Sequence, residues 1–221
     1  MIVLVYDLLQ IVFDKLDFIS QLRFRQVDNF VYENLQMTNF YDINQEILDI
    51  LSDDILLNYP YVRQLNARYN GSITNVNHLS ELIKLNATLS NISQTGISKL
   101  HNLLELDAKC ALSDNNNITN VNHLKKLQKL NIGSVMCRIG QNWINELTEL
   151  IVLNAEYNRM VKDVNHLKKL KYLNAGSFNF VDCEIDQAGI SELYNLIEVN
   201  ISGNTKIKCL KHCKMLKTII T

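Results

Sequence analysis

The chain is 221 residues long, 47% hydrophobic and carries a formal net charge of −1, which suits one or two folded domains and excludes a disordered or collagen-like polymer. No apolar run approaches the ~18 residues of a membrane helix, so no membrane partner is expected. The opening "MIVLVYDLLQ" has neither a basic flank nor a small-residue cleavage site, so a cytoplasmic or nuclear setting is expected rather than secretion. Five irregularly spaced cysteines fit reduced thiols better than a disulfide framework. Residues 1–60 hold ten acidic and three basic side chains, and residues 61–221 hold thirteen and nineteen. An acidic head precedes a basic body, which suggests two functional parts.

In "LVYDLLQIVFDKLDFISQLRFRQVDNFVY" (4–32), Leu8, Leu9, Val12, Phe13 and Leu16 recur at helical spacing and give one apolar face. Leu22, Val27 and Val31 predict a second short helix, and "NQEILDILSDDILLN" (44–58) predicts a third. Pro60 disfavours helix at Tyr59 and marks where this region stops.

From Val62 onward the phrase Leu-x-x-Leu-Asn-Ala recurs. Its first apolar position is Val62, Leu82, Leu103, Leu127, Leu150, Leu170, Leu196 and Leu216. Its second is Leu65, Leu85, Leu106, Leu130, Leu153, Leu173, Val199 and Ile219, and its third is Ala67, Ala87, Ala108, Ile132, Ala155, Ala175 and Ile201. Successive units are 20, 21, 24, 23, 20, 26 and 20 residues apart. Leu85-Asn86-Ala87 alternates with the period of a strand that has one buried face. The apolar set that follows, such as Ile73-Val76-Leu79, steps by three and suits a tight turn or a short helix on the other flank. Such a unit cannot bury its apolar side alone, so neighbours must stack in register. A longer period overlies this one: "NVNHLKKLQKLN" (120–131) returns as "DVNHLKKLKYLN" (163–174). Val-Asn-His-Leu at 76–79, 121–124 and 164–167 alternates with "GISKL" (96–100), "WINEL" (143–147) and "GISEL" (189–193), so the basic unit is a pair of repeats.

This pattern resembles the leucine-rich repeat, L-x-x-L-x-L-x-x-N with a period of 20–29 residues. The resemblance implies an α/β solenoid over 61–221, of about seven full repeats and one partial, with a parallel sheet on its concave side. Two departures stand out. The third core position is mostly Ala, which predicts a tighter interior or compensation by Phe178 and Tyr157. The Asn of the ninth position holds at Asn70, Asn158 and Asn204 but is Ser90, Ala111, Val135 and Phe178 elsewhere.

The head resembles the F-box, which opens L-P-x-E-x-L-x-x-I-F-x-x-L. Leu4, Asp7, Leu9, Val12, Phe13 and Leu16 take those positions, and Val27 matches a later Val; the proline is replaced by Val5, the Glu by Asp7 and a later Trp by Val31. The resemblance implies a helical module over 1–55 that docks a Skp-type adaptor protein through Leu4, Leu8, Leu9, Val12, Phe13, Leu16, Leu22 and Val27. Head followed by repeats is the order of F-box/leucine-rich-repeat proteins, in a style similar to those of giant amoeba viruses. The alternative is that the module only caps the solenoid, burying its apolar face against Val62 and Leu65.

The residue after the second core position, Asn66, Asn86, Asp107, Asn131, Asn154, Asn174 and Asn200, should point onto the concave sheet. Stacked amides there either bond to one another as a ladder or meet a ligand. Flanking slots vary, with Gln64, Lys84, Glu105, Lys129 and Tyr172 in one row, continued by Val152 and Glu198. Arg68, Tyr69, Lys109, Glu156 and Tyr157 stand beside them. Variation on a fixed frame is what recognition of a target protein needs, and Tyr and Arg are common anchors.

His78, His123, His166 and His212 share one slot in alternate units. At ~4.8 Å per strand they lie ~10 Å apart, too far for shared coordination, so they are read as a solvent-flank feature. Cys209, His212 and Cys213 make half a zinc pattern with no second pair. No phosphate loop, HExxH or G-x-S-x-G occurs. No metal, no cofactor and no enzymatic activity are expected. The lysines between 125 and 217 fall mainly in the linker before each strand, a solvated flank, so nucleic acid is not the expected partner. Trp143 reads as a core anchor or a binding contact, and Ile219 and Ile220 as an unpaired terminal strand. The expected function is substrate recognition for a cullin–RING ubiquitin ligase; the rivals are a plain interaction scaffold and a secreted adhesin of the internalin type.

Overall fold

The computed structural model describes residues 2–27, 33–110, 118–178 and 181–221, with side chains described from residue 8 onward. Leu4 lies within the first helix but its side chain, like Val31, Ala111 and the insertion at 113–117, is outside the described residues. The chain opens with α1 (Ile2–Phe13) and α2 (Phe18–Arg25). Asp17 starts α2: its carboxylate accepts the Ser20 N–H at 2.8 Å, and that bond holds the carboxyl below its ordinary range. Arg23 and Arg25 in the last turn suit the negative end of the helix dipole. The single helix expected over 44–58 is two, α3 (Gln45–Ile50) and α4 (Asp53–Leu56). The Ser52 hydroxyl accepts the Ile55 N–H at 3.3 Å while Leu51 is extended, so a local side-chain bond stops one helix and starts the next.

Nine strands lie side by side among the described residues, all parallel and in sequence order. They are β1 (Asn39–Phe40), β2 (Gln64–Asn66), β3 (Lys84–Asn86), β4 (Glu105–Asp107), β5 (Lys129–Asn131), β6 (Val152–Asn154), β7 (Tyr172–Asn174), β8 (Glu198–Asn200) and β9 (Thr218–Ile220). The register pairs Leu65 with Leu85, then Leu106, Leu130, Leu153, Leu173, Val199 and Ile219, so the second apolar position of every unit forms one row. From Leu65 to Val199 that row is buried, each residue contributing about 1.5–3 kcal/mol by leaving water. Phe40 extends the row one place, because β1, which periodicity did not pick out, pairs with β2. A single apolar core runs from Phe13 to Cys213 without a break at Pro60.

The Ala layer needs no large residue to fill it. Ala67, Ala155 and Ala175 are wholly buried, whereas Phe178 is exposed and Tyr157 half-buried, so neither compensates as expected. The ninth-position asparagines reach back instead. Asn158 Nδ2 donates to the carbonyls of Ile132 and Ile139 in the preceding unit, and its Oδ1 accepts the Met160 and Val161 N–H groups. Asn204 does the same to Ala175 and Ile185. Asn70 does it to Leu48 and Leu51, so the segment around α3 stands where a preceding repeat would. Where Asn is missing, the bond differs: Ser134 Oγ, one place earlier, donates to the Cys110 carbonyl of the preceding unit, whereas Ser90 Oγ donates only to Ala87 in its own unit.

The paired period has a physical basis. Short 3-10 turns occur in alternate units, at Thr95–Ile97, Gln141–Trp143 and Ala188–Ile190. The asparagine of each intervening Val-Asn-His-Leu clamps the turn that follows: Asn165 Nδ2 donates to Ala188 O at 2.8 Å and its Oδ1 accepts the Glu192 N–H at 2.8 Å. Asn77 and Asn122 act alike on Thr95 with Lys99 and on Asn142 with Glu146. The histidine clamps the turn before: Nε2 of His123, His166 and His212 donates to the carbonyls of Ile97, Ile144 and Ile190 at 3.0, 3.1 and 2.8 Å. These half-buried histidines are inter-unit latches rather than a solvent-flank feature. Glycine precedes the isoleucine in two of the three turns because a Cβ at Gly96 or Gly189 would strike the carbonyl oxygen of Thr74 or Lys162. Trp143 stands where they do, and the Val121 N–H to Trp143 O bond stretches to 3.4 Å against 2.9 Å for Val164 to Gly189. Trp143 is itself exposed, so it is not a core anchor.

Candidate protein-interaction surfaces

The concave face is built by the outward residues of β2–β9. The row of asparagines on it forms neither a continuous ladder nor a set of free amides. Each Oδ1 accepts the backbone N–H two residues on, at Arg68, Thr88, Gly133, Glu156, Gly176 and Ser202, and Asp107 does the same for Lys109. The row therefore turns the chain at the end of each strand from β2 to β8. One lateral link occurs near its middle, where Asn131 Nδ2 donates to Asp107 at 3.0 Å and Thr88 donates to the same carboxylate at 2.7 Å.

That face divides into two halves. In the first, Glu105 pairs with Lys129 at 2.6 Å and Lys84 at 3.8 Å, and the Lys84 ammonium sits 3.7 Å from the centre of the Tyr41 ring. Burial, and then the carboxylates of Asp107 and Glu105, push the Tyr41 hydroxyl above its ordinary pKa. The second half is lined by Val152, Tyr172, Glu198 and the amides of Asn154, Asn174 and Asn200, around a shallow cavity of about 260 Å³. Tyr69 and Tyr157 occupy one slot of different units and share φ 60°, a backbone region that side chains avoid. Tyr69 is exposed with the Arg68 guanidinium 4.6 Å from its ring centre, while Gln64, Lys109 and Glu156, at or just past the ends of β2, β4 and β6, are half-buried.

The structure splits the residues expected to meet an adaptor. Phe13 is 0% exposed, its ring 6.0 Å from that of Phe24, so its place on the docking face is corrected: it anchors α1 to the core. Leu9 and Leu16 pack half-buried against the same core. Leu8, Ile11, Val12, Ile19 and Leu22 are exposed, so the two helices keep apolar side chains on their outer side, and Val27, just past α2, is exposed as well. Among the described residues no cluster of His, Cys, Asp or Glu could hold a metal, and no described helix is long and apolar enough to cross a membrane.

No family model and no curated protein matches the chain. Solved structures do. An internalin, InlF, of Listeria monocytogenes shares 21% identity at a TM-score of 0.55 over 77% of this chain and 51% of that one. Internalin C2 of the same organism shares 19% at 0.53 over 88% and 83%, and a leucine-rich-repeat protein of Leptospira interrogans shares 19% at 0.51 over 86% and 55%. The fold is a leucine-rich-repeat solenoid. At these identities the likeness concerns the fold alone, and the chain spans about half the length of the first and third of these neighbours.

Several working residues of this leucine-rich-repeat chain escaped the reading of its sequence. Gln94, Gln141 and Gln187 each stand three residues before the isoleucine of a 3-10 turn and grip the next unit through two backbone N–H groups and one carbonyl. Their common offset was a readable signal. Gln21, Tyr41 and Thr88 gave none, because their roles depend on contacts distant in sequence.

Proposed function

We propose that the chain is a non-enzymatic protein adaptor acting in the cytoplasm or nucleus. The outer face of α1 and α2 docks a Skp-type adaptor of a cullin–RING ubiquitin ligase, and the concave face holds a target protein. The observation that carries the reading is the apolar outer face itself: Leu8 and Val12 are each 58% exposed and Leu22 is 41% exposed, on helices whose inner side is already fixed by Phe13 and Phe18, and Val27, 76% exposed, follows the second helix. Several exposed apolar groups on two short helices are more than a capping element requires. Co-purification with a Skp-type adaptor tests it. Wild type should bind, and Leu8→Asp with Val12→Asp should lose at least about tenfold while melting normally, since neither side chain packs in the core. Failure of wild type to bind, or undiminished binding by the double variant, ends the reading.

The coarser alternative, an interaction scaffold whose residues 1–55 only cap the solenoid, is favoured by one specific contact. Gln21 is fully buried and accepts the N–H groups of Thr38 and Asn39 at the edge of the sheet, as a dedicated cap would.

A further inference from the structure

The flank of the solenoid leading into β6–β9 carries a groove that neither surface above uses. It has a volume of about 440 Å³ and is lined by Ile151, Ile197 and Met215 with Lys168, Lys169, Lys171 and Asn195. The residue before each strand stacks along this flank through backbone bonds, Lys171 N to Ile151 O, Ile197 N to Lys171 O and Lys217 N to Ile197 O. The column therefore reads apolar, cation, apolar, cation in steps of ~4.8 Å. Lys168 and Lys169 are already paired with Glu192 and Glu149. Among the described residues Lys171 and Lys217 form no ion pair, and Met215 is 56% exposed. Residues 206–221 add five lysines and no acidic side chain.

We propose that this groove docks an extended acidic segment of a partner protein, with one apolar side chain seated over Ile197 and Met215 and carboxylates on Lys171 and Lys217. The two free cations stand two strand steps apart, ~10 Å, which is close to one turn of an extended polyproline II chain, three residues at ~3.1 Å each, after which side chains return to the same face. The preferred ligand therefore carries acidic residues at i and i+3 with an aliphatic one between. A nucleic acid fits less well: the floor is aliphatic with no stacking ring, and Glu149 and Glu192 would repel a continuous row of phosphates.

The test uses the full chain and a labelled peptide with two glutamates three residues apart around a leucine, followed by fluorescence anisotropy. Saturable binding is expected, weakened at least about tenfold by Lys171→Glu and by Met215→Asp, both at exposed positions. Lys208→Glu, the same change of charge away from the groove, should alter it less than about twofold, because charges beyond the ~8 Å screening length contribute little. Exchanging the leucine for serine should weaken binding several-fold. The proposal is overturned if the peptide does not bind, if Lys208→Glu acts as strongly as Lys171→Glu, or if the serine peptide binds equally. An oligothymidylate of equal charge that binds more tightly and is lost in Lys171→Glu would overturn it in favour of nucleic acid. None of these outcomes bears on the N-terminal helices, so the adaptor reading stands or falls separately.

Discussion

The first and the last of the nine described strands are equivalent in register and differ in what covers them. At the first, Phe40 of β1 stands in the core row and is buried between the rings of Phe18 and Tyr59, and Gln21 Oε1 accepts the edge N–H groups of Thr38 and Asn39 at 3.2 Å. At the last, Ile219 of β9 stands in the same row and is 51% exposed. Residue type does not make the difference, since isoleucine is as apolar as phenylalanine. A strand of three residues has one buried face only when a neighbour supplies the other wall, and at the first end two helices supply it. The acidic head is thus structurally a substitute repeat.

The sharpest way to break this comparison is to remove the wall at each end. Phe13→Ala should cost about 3–5 kcal/mol in urea unfolding, the range for deleting a fully buried ring. Ile219→Ala should cost less than about 1.5 kcal/mol, because half of its surface is already in water. Equal losses would mean that the head is not part of the cooperative core.

Gln21 gives a smaller and more specific effect. Its Nε2 donates to Phe13 O and Thr38 Oγ1 at 3.0 Å while its Oε1 takes two backbone donors. Gln21→Leu keeps the volume and strands the Thr38 and Asn39 N–H groups, so about 2–3 kcal/mol should be lost, with hydrogen exchange rising first at those two amides. Retained protection at those two amides would show that the edge is sealed by packing rather than by the side chain.

Much of this architecture was legible because its cause is periodic. Leu85, Leu106 and Leu130 announce their common row by spacing, and the paired repeat announces itself through Val-Asn-His-Leu. What could not be read is what occurs once. The Asn39–Phe40 strand is too short to show alternation, and its pairing is set by helices that precede it. Phe13 fits the docking face as well as the core, since a helix with apolar residues around much of its circumference does not declare which side is inward. The concave row was legible as a row but not in its chemistry. Whether an asparagine bonds its neighbour strand or its own chain two residues on is settled by backbone geometry at the strand end.

The histidine latches extend the comparison into the repeats. His166→Leu should cost about 0.5–1.5 kcal/mol by removing one of the two hydrogen bonds at the Ile144 carbonyl, which keeps the Leu147 N–H. His78 has no such partner: its Nε2 is buried without a hydrogen bond, because an α-helix rather than a 3-10 turn stands in the unit before it. His78→Leu should therefore be neutral or mildly stabilising. Similar losses at both sites would show that the ring, not its bond, holds the units together.

The smallest effect is in pH. Burial lowers the pKa of His123 below its ordinary 6.5, and this outweighs the Ile97 carbonyl, which favours the charged ring. The unfolded chain therefore takes up the proton first, so stability is highest above pH 6.5 and declines as pH falls through 6.5 toward the folded pKa. The carboxyls of Asp17, Glu146 and Asp186 are held below their ordinary values and act only at more acid pH, so they do not intrude on this window. Melting temperature should drop between pH 7.5 and 5.5, and His123→Gln should shrink the drop while leaving the value at pH 7.5 nearly unchanged. A steeper drop in the variant, or a rise in wild type, would mean that the Ile97 bond outweighs burial and that the latch tightens on protonation.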